Sequence, residues 1–350
     1  MYLTVLCGGL SDERDVSVST GTGAARALRA LGHRVALADL YLGVPALPED
    51  TDALFTAQSP EAEAAIAETA PDLARVRALR PDPEVLLGPN VLKLCQKADM
   101  VFLALHGGEG ENGKLQGLLD LYGVRYTGTG SLGSALAMDK DLSKRLMRDA
   151  LIPVPEGVLL DSPAAAGTIP PFLPCVVKPC SGGSSVGTSI VTDPEDYAPA
   201  LALAFRSGGR ALVERYIRGR ELTVGLLDGK AMPVVEIIPK SGFYDYKNKY
   251  QAGAATELCP APIGPEATAR IQALAERVWR CLRLEAYARA DFIWEQDGSG
   301  AMYCMEANTL PGLTPTSLIP QMAREMGLGY GALCEKIIEV SLKKYERNAD

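Results

Sequence analysis

The sequence predicts a mixed protein: an N-terminal α/β domain built on a parallel sheet, followed by two α+β domains. Three observations lead there. An apolar run at residues 3–7, a helical pattern reaching about residue 31 and a second apolar run at 35–40 make a β-α-β start. Two glycine-rich segments, 106–117 and 180–187, each follow a short apolar strand. Residues 288–308 read as two strands folded about Asp297-Gly298-Ser299-Gly300. At 350 residues the chain can bury a substantial core, and 47% hydrophobic with 22% charged residues is a soluble globular composition.

Composition also removes function classes. A formal charge of −8, with no Lys/Arg block, argues against a nucleic-acid surface. No apolar run approaches the roughly 20 residues a membrane span requires. The first residues lack a basic leader and read as a strand. None of the eight cysteines forms a Cys-x-x-Cys pair, so a reduced, cytoplasmic protein without structural zinc is expected.

Taken in order, the first strand ends in Gly8-Gly9 and Gly32 stops the first helix, with no Gly-x-Gly-x-x-Gly fingerprint between. Residues 43–90 are rich in Ala, Pro, Glu and Asp and carry no chemical motif, so about 43–98 reads as an insertion. The strand at 100–105 opens onto His106 and a glycine loop, the place where open α/β sheets bind ligands. The other histidine, His33, lies in a turn and reads as surface. Residues 175–179 form a strand, 180–187 a Gly/Ser loop, and 188–192 a returning strand. In that order Lys178 precedes its loop, unlike the lysine of a Walker P-loop, and the loop can fold backbone N–H groups over phosphates. A strand at 211–217 offers backbone groups to a base edge, and Glu221 is placed to reach a ribose. Residues 223–227 and 231–238 form a meander about Asp228-Gly229. Polar, aromatic 241–251 reads as an active-site loop. Helices follow at 266–283 and from about 320 to 345.

The hairpin at 288–308 carries the chemistry. With Gly298 and Ser299 at the turn centre, Asp291 faces Glu306 and Arg289 faces Asn308 on one side of the sheet. Carboxylates set opposite one another repel, and a divalent cation between them relieves that. Asn308 adds a neutral oxygen. Hard oxygen donors of this kind suit Mg²⁺ carried on nucleotide phosphates.

Four segments together resemble the D-alanine–D-alanine ligases of the ATP-grasp superfamily. They are Gly-Gly-Leu-Ser-Asp-Glu-Arg-Asp-Val-Ser (8–17), His-Gly-Gly-Glu-Gly-Glu-Asn-Gly-Lys-Leu-Gln-Gly (106–117), Lys-Pro-Cys-Ser-Gly-Gly-Ser-Ser-Val-Gly (178–187) and Glu-Ala-Asn-Thr-Leu-Pro-Gly-Leu-Thr (306–314). The resemblance covers essentially the whole chain outside 43–98. It implies a three-domain ATP-grasp fold, with boundaries expected at 1–139, 140–218 and 219–350. It also implies a reaction in which one D-alanine carboxylate is phosphorylated by ATP and the amino group of a second displaces phosphate, supplying peptidoglycan synthesis.

The same resemblance assigns roles. Glu13 holds the first substrate's ammonium, Ser184 and Tyr250 bond its carboxylate, and His106 lies beside it. Arg289 and the Gly312 N–H stabilise the acyl phosphate and oxyanion. Asp291, Glu306 and Asn308 hold two Mg²⁺ ions, with Mn²⁺ the alternative. Lys140 and Lys178 meet the α/β-phosphates, with Ser184 and Ser185 in the loop above. Glu214, Arg215, Tyr216 and Ile217 bind adenine and Glu221 the ribose. Lys249, Ser317 and Leu318 receive the second substrate, Lys249 also nearing the γ-phosphate. A homodimer is implied as well. Tyr250 favours an amine as second substrate over D-lactate, and D-serine is less readily excluded. A biotin-carboxylase-like carboxylate–amine ligase is opposed by the first two motifs. A non-catalytic nucleotide-binding module is opposed by the clustered metal donors.

Overall fold

The structure, a computed structural model, describes residues 1–44, 46–48, 50, 52–56, 71–163, 170–183, 185–240 and 255–346. Ser184, Lys249 and Tyr250 therefore lie outside the described residues, as does the expected loop at 241–251.

Strands β1 (Tyr2–Cys7), β2 (Arg34–Asp39) and β3 (Met100–Leu103) form a parallel sheet in the order β2-β1-β3. Both faces are covered, so β1 is buried continuously from Leu3 to Cys7 rather than at alternate positions. The helix Arg14–Ala30 is tied to this sheet by Ser17, whose Oγ accepts from Gly8 N (2.8 Å) and donates to Ala104 O (2.7 Å). The 43–98 stretch is not a pure insertion. Phe55, Val91, Leu94 and Cys95 are buried in the core of the parallel sheet, and the helix Val91–Lys97 belongs to that layer. Nor is His33 a plain surface residue: its Nε2 lies 2.6 Å from Glu335 Oε2 on the last helix, Tyr330–Glu346.

The second sheet is antiparallel, ordered β4 (Gly157–Leu160), β7 (Ala211–Arg215), β5 (Cys175–Pro179), β6 (Ser189–Val191). The third runs β10 (Ala255–Leu258), β9 (Lys230–Pro239), β8 (Gly219–Leu227), β11 (Tyr287–Glu295), β12 (Met302–Asn308), also antiparallel. Strands β8 and β9 are joined by Asp228 and Gly229, at φ of 51° and 75°, the paired positive values a tight two-residue hairpin turn demands. The helix Lys140–Asp149 packs with the third sheet, since Met147 and Ile152 enter that sheet's core.

The functional hairpin differs from the expected one in an informative way. Strand β12 pairs Asp291 with Glu306 and Arg289 with Asn308, but nearer the turn Phe292 pairs with Cys304 and Trp294 with Met302. A two-residue turn centred on Gly298 and Ser299 places Phe292 opposite Met305 instead. The turn is longer, with Glu295 N bonded to Ala301 O at 2.9 Å, and Met305 is an extra residue bulged from the ladder. The bulge reverses the alternation of β12. Met302 and Cys304 face the core, whereas Met305 and Glu306 both face the cavity described below. In a regular strand Glu306 would share the buried side of Cys304.

Candidate active site

Between the second and third sheets lies a cavity of about 490 Å³. Lys178 reaches it from β5 and Lys140 from the first turn of its helix. Asp139 caps that helix, its carboxylate accepting from Asp141 N (3.1 Å) and Leu142 N (3.0 Å). A bond from Lys140 N to Cys180 O (2.9 Å) joins the helix to the start of the Gly/Ser loop. Lys140 Nζ donates to Gly182 O at 2.5 Å and lies 3.5 Å from Glu306 Oε2. Ser185, Tyr216, Ile217 and Glu221 line the same cavity, as do Arg289, Asp291 and Glu306.

Asp291 is bonded from three sides. Arg289, two residues earlier on the same face of β11, donates Nε to Oδ1 and Nη2 to Oδ2, both at 2.8 Å. Asn308 Nδ2 donates to Oδ2 at 3.0 Å, and Thr223 Oγ1 on β8 to Oδ1 at 2.6 Å. Two carboxylates and one amide thus stand on one half-buried sheet face, with Arg289 and Lys140 as counter-cations. The donor set is all hard oxygen once the Asn308 amide turns its carbonyl inward, and it fits Mg²⁺. Cross-strand pairing brings the two carboxylates together, and their mutual repulsion supplies the demand for cations.

Two of the four residues assigned to the adenine strand do not present their side chains to the cavity. The Glu214 side chain is fully buried, away from the cavity wall, hydrogen-bonded to Lys144 and ion-paired with Lys178 (2.7 Å to Nζ). Arg215 turns outward to Glu156 (3.0 Å) and over the Phe172 ring. The N–H groups of Arg215 and Tyr216 are already taken by Glu156 O and Pro174 O, at 2.9 and 3.2 Å. The reason is positional: β7 is an inner strand, and only the chain beyond it, Tyr216 and Ile217, reaches the cavity.

The remaining assigned residues gather where the three glycine-bearing loops meet. Glu13 sits at the N-cap of the first helix. A Cβ placed on Gly107 or Gly183 would stand 2.7 or 2.8 Å from Glu13 Oε2, so glycine at both positions lets two loops close against this carboxylate. His106 is buried, with Nδ1 2.8 Å from Leu310 O and Nε2 2.9 Å from Thr20 Oγ1. Burial lowers its pKa. With both ring nitrogens engaged, it supports the site from below and presents no nitrogen to it. Ser317 Oγ lies 2.7 Å from Thr314 Oγ1, and a Cβ on Gly312 would stand 3.0 Å from Ser317 Oγ. Leu318 packs its side chain into the core, leaving its backbone N–H for any substrate contact.

Sequence reasoning missed three supporting residues. Thr223 is one. Glu111 is another: buried, it accepts Gly107 N at 2.7 Å and Leu310 N at 2.8 Å, joining the 106–117 loop to the 306–314 segment. Burial, with the charge of Glu13 adding to it, raises its carboxyl to about 7. The third, Lys144, stands one helical turn after Lys140, and that spacing could have revealed it.

Two antiparallel sheets closing on a cavity lined by lysines and magnesium-type oxygen donors define an ATP-grasp protein. The family model described as D-ala D-ala ligase N-terminus matches residues 2–129, and that described as D-ala D-ala ligase C-terminus matches 170–339. A D-alanine–D-alanine ligase of Pediococcus pentosaceus is 40% identical over an alignment of 352 residues, covering 99% of each chain. Among solved structures, the D-alanine–D-alanine ligase of Coxiella burnetii has a TM-score of 0.77 at 27% identity, covering 100% of this chain and 96% of that one. The Bacillus anthracis D-alanine–D-alanine ligase in complex with ATP has a TM-score of 0.74 at 25% identity, covering 99% of both. This chain belongs to the D-alanine–D-alanine ligase family.

Proposed function

We propose that the protein joins two D-alanines with ATP, forming D-alanyl-D-alanine, ADP and phosphate, and so supplies a peptidoglycan precursor in the cytoplasm. The observation that carries this reading is the cavity wall, where Lys140 and Lys178 face Arg289, Asp291 and Glu306. ATP occupies that cavity, with Tyr216 and Ile217 beside the base and Glu221 beside the ribose. Asp291, Glu306 and Asn308 would hold two Mg²⁺ ions, or Mn²⁺ in their place, and metal bound there would supply neutralisation of the phosphate charge.

A free carboxylate is a poor electrophile, so the first D-alanine must be activated. Glu13 takes its ammonium and directs its carboxylate to the γ-phosphorus. A carboxylate oxygen bonds to phosphorus as the β–γ bridging P–O bond breaks, and ADP leaves with the electron pair. Arg289 turns from Asp291 to the transferring phosphoryl group, and Lys140 and Lys178 hold the remaining phosphates. The second D-alanine, held by Lys249, Ser317 and the Leu318 N–H, attacks the acyl carbon through its amine. The Gly312 N–H receives the oxyanion, the C–O bond to phosphate breaks, and the departing phosphate takes the proton shed by nitrogen. His106 acts as a positioning residue through Leu310. Ser184, Ser185 and Tyr250 close over the intermediate and keep out the water that would hydrolyse it. The three-domain division at 139/140 and 218/219 gives the motion this closure needs, and the working protein is a homodimer.

The test is to supply ATP and Mg²⁺ with D-alanine, D-serine or D-lactate, singly and in pairs, following phosphate release and product mass. D-Alanine alone is expected to give D-alanyl-D-alanine. A mixed product formed in preference identifies a D-serine or D-lactate ligase. Phosphate release indifferent to every D-substrate would sink the ligase reading.

A further inference from the structure

Running inward from the cavity wall is a buried triad whose innermost lysine has no part in the scheme above. Glu214, on β7, has a side chain 0% exposed; Lys178 Nζ lies 2.7 Å from its Oε2, and Lys144 Nζ bonds its Oε1. Lys178 lines the cavity, whereas Lys144, 1% exposed, does not. Lys144 shares its helix with Lys140, so one helix carries a cavity lysine at its first turn and this buried one a turn later.

We propose that Lys144 is a positioning residue for phosphate recognition: by satisfying one oxygen of Glu214 it confines Lys178 to the other, and so fixes the Lys178 ammonium at the cavity wall.

An ammonium has three N–H donors, and pairing with Glu214 Oε2 at 2.7 Å on one side leaves N–H groups on the other side for a phosphate. A buried carboxylate leaves no oxygen unserved without a cost comparable to a lost charged hydrogen bond. Without Lys144, Glu214 meets that demand only by drawing further N–H groups of Lys178 onto itself, away from the cavity. The protonation preferences agree. Burial pulls Lys144 down to about 7. Burial works on Lys178 in the same direction, but the adjacent Glu214 charge outweighs it and raises that ammonium. For Glu214, burial pushes upward and the two lysines together hold it low. Lys178 thus keeps its charge for the phosphate, and Lys144 donates to Glu214 whether charged or neutral.

The proposal rests on the ATP reading of the cavity, and a double-mutant cycle separates the two. Lys144→Met in the wild-type background is expected to raise KM for ATP roughly tenfold, with KM for D-alanine held within about twofold. Added to Lys178→Met, the same change is expected to alter KM for ATP by less than about twofold, because its route to the phosphate is already gone. Lys144→Gln, which keeps an N–H donor, is expected to recover part of the loss. An equal effect in both backgrounds, an unchanged KM for ATP, or a parallel rise for D-alanine would overturn the proposal. If thermal melting shows that Lys144→Met does not fold, the cycle is run with Lys144→Gln and judged by the same coupling to Lys178. A wild-type protein that consumes no ATP with D-alanine present contradicts the reading of the cavity itself.

Discussion

Asp291 accepts four hydrogen bonds from three side chains, one on its own strand and two on its neighbours. Asp291→Asn sets an amide N–H among donors. It is expected to cost about 1–3 kcal/mol of stability in urea titration and to lower kcat at least about 10²-fold. Glu306→Gln is expected to lower kcat comparably with little change in melting temperature, and full activity would discredit the metal assignment. Glu111 gives a pH signature. Unfolded, it titrates near 4.5; folded, at about 7, so the folded state binds more protons between those values. Its contribution to stability therefore falls as pH rises through that window and levels off above it. Glu111→Gln is expected to gain stability relative to wild type over the same window, measured by denaturation at several pH values. The residues on β11 and β12 were legible because strand alternation places them. Thr223 and Glu111 were not, since Asp291 and Leu310, the partners that tie them into the site, lie 68 and 199 residues away.

Among the elements, the β12 bulge decides which way Glu306 points. The pairing of Asp291 with Glu306 was legible, yet the turn that led to it was not the one found. A misplaced turn centre and an extra residue cancel at this pair. A single bulged residue leaves no mark on an apolar pattern, because Met305 is as acceptable in a strand facing either way. The Lys140–Asp149 helix was better marked, with Asp139 at its cap. Beyond its two helix N–H bonds, Asp139 pairs with Arg210 at 2.6 Å. Burial alone would raise its carboxyl, but these bonds outweigh burial and lower it. The stability it provides is therefore present above the ordinary aspartate range and lost as pH falls through its lowered value. Asp139→Ala is expected to cost about 1–2 kcal/mol in denaturation and, by loosening Lys140, to raise KM for ATP.

At the scale of the molecule, the order of motifs along the chain made the three sheets and the cavity between two of them readable. What stayed hidden is how the ends meet: the last helix packs back near the first, with Glu335 bonded to a histidine 302 residues earlier. No local pattern encodes such a contact. A nucleotide held between two sheets couples them, so a non-hydrolysable ATP analogue with Mg²⁺ at about 100 times Kd is expected to stabilise the fold by roughly 2.7 kcal/mol. Glu306→Gln is expected to lose the magnesium-dependent part of that gain in thermal melting. The most direct test of the whole account follows one oxygen atom. With D-alanine labelled by ¹⁸O in its carboxylate, phosphoryl transfer to that carboxylate predicts one labelled oxygen in every phosphate released. Phosphate carrying no label would contradict it.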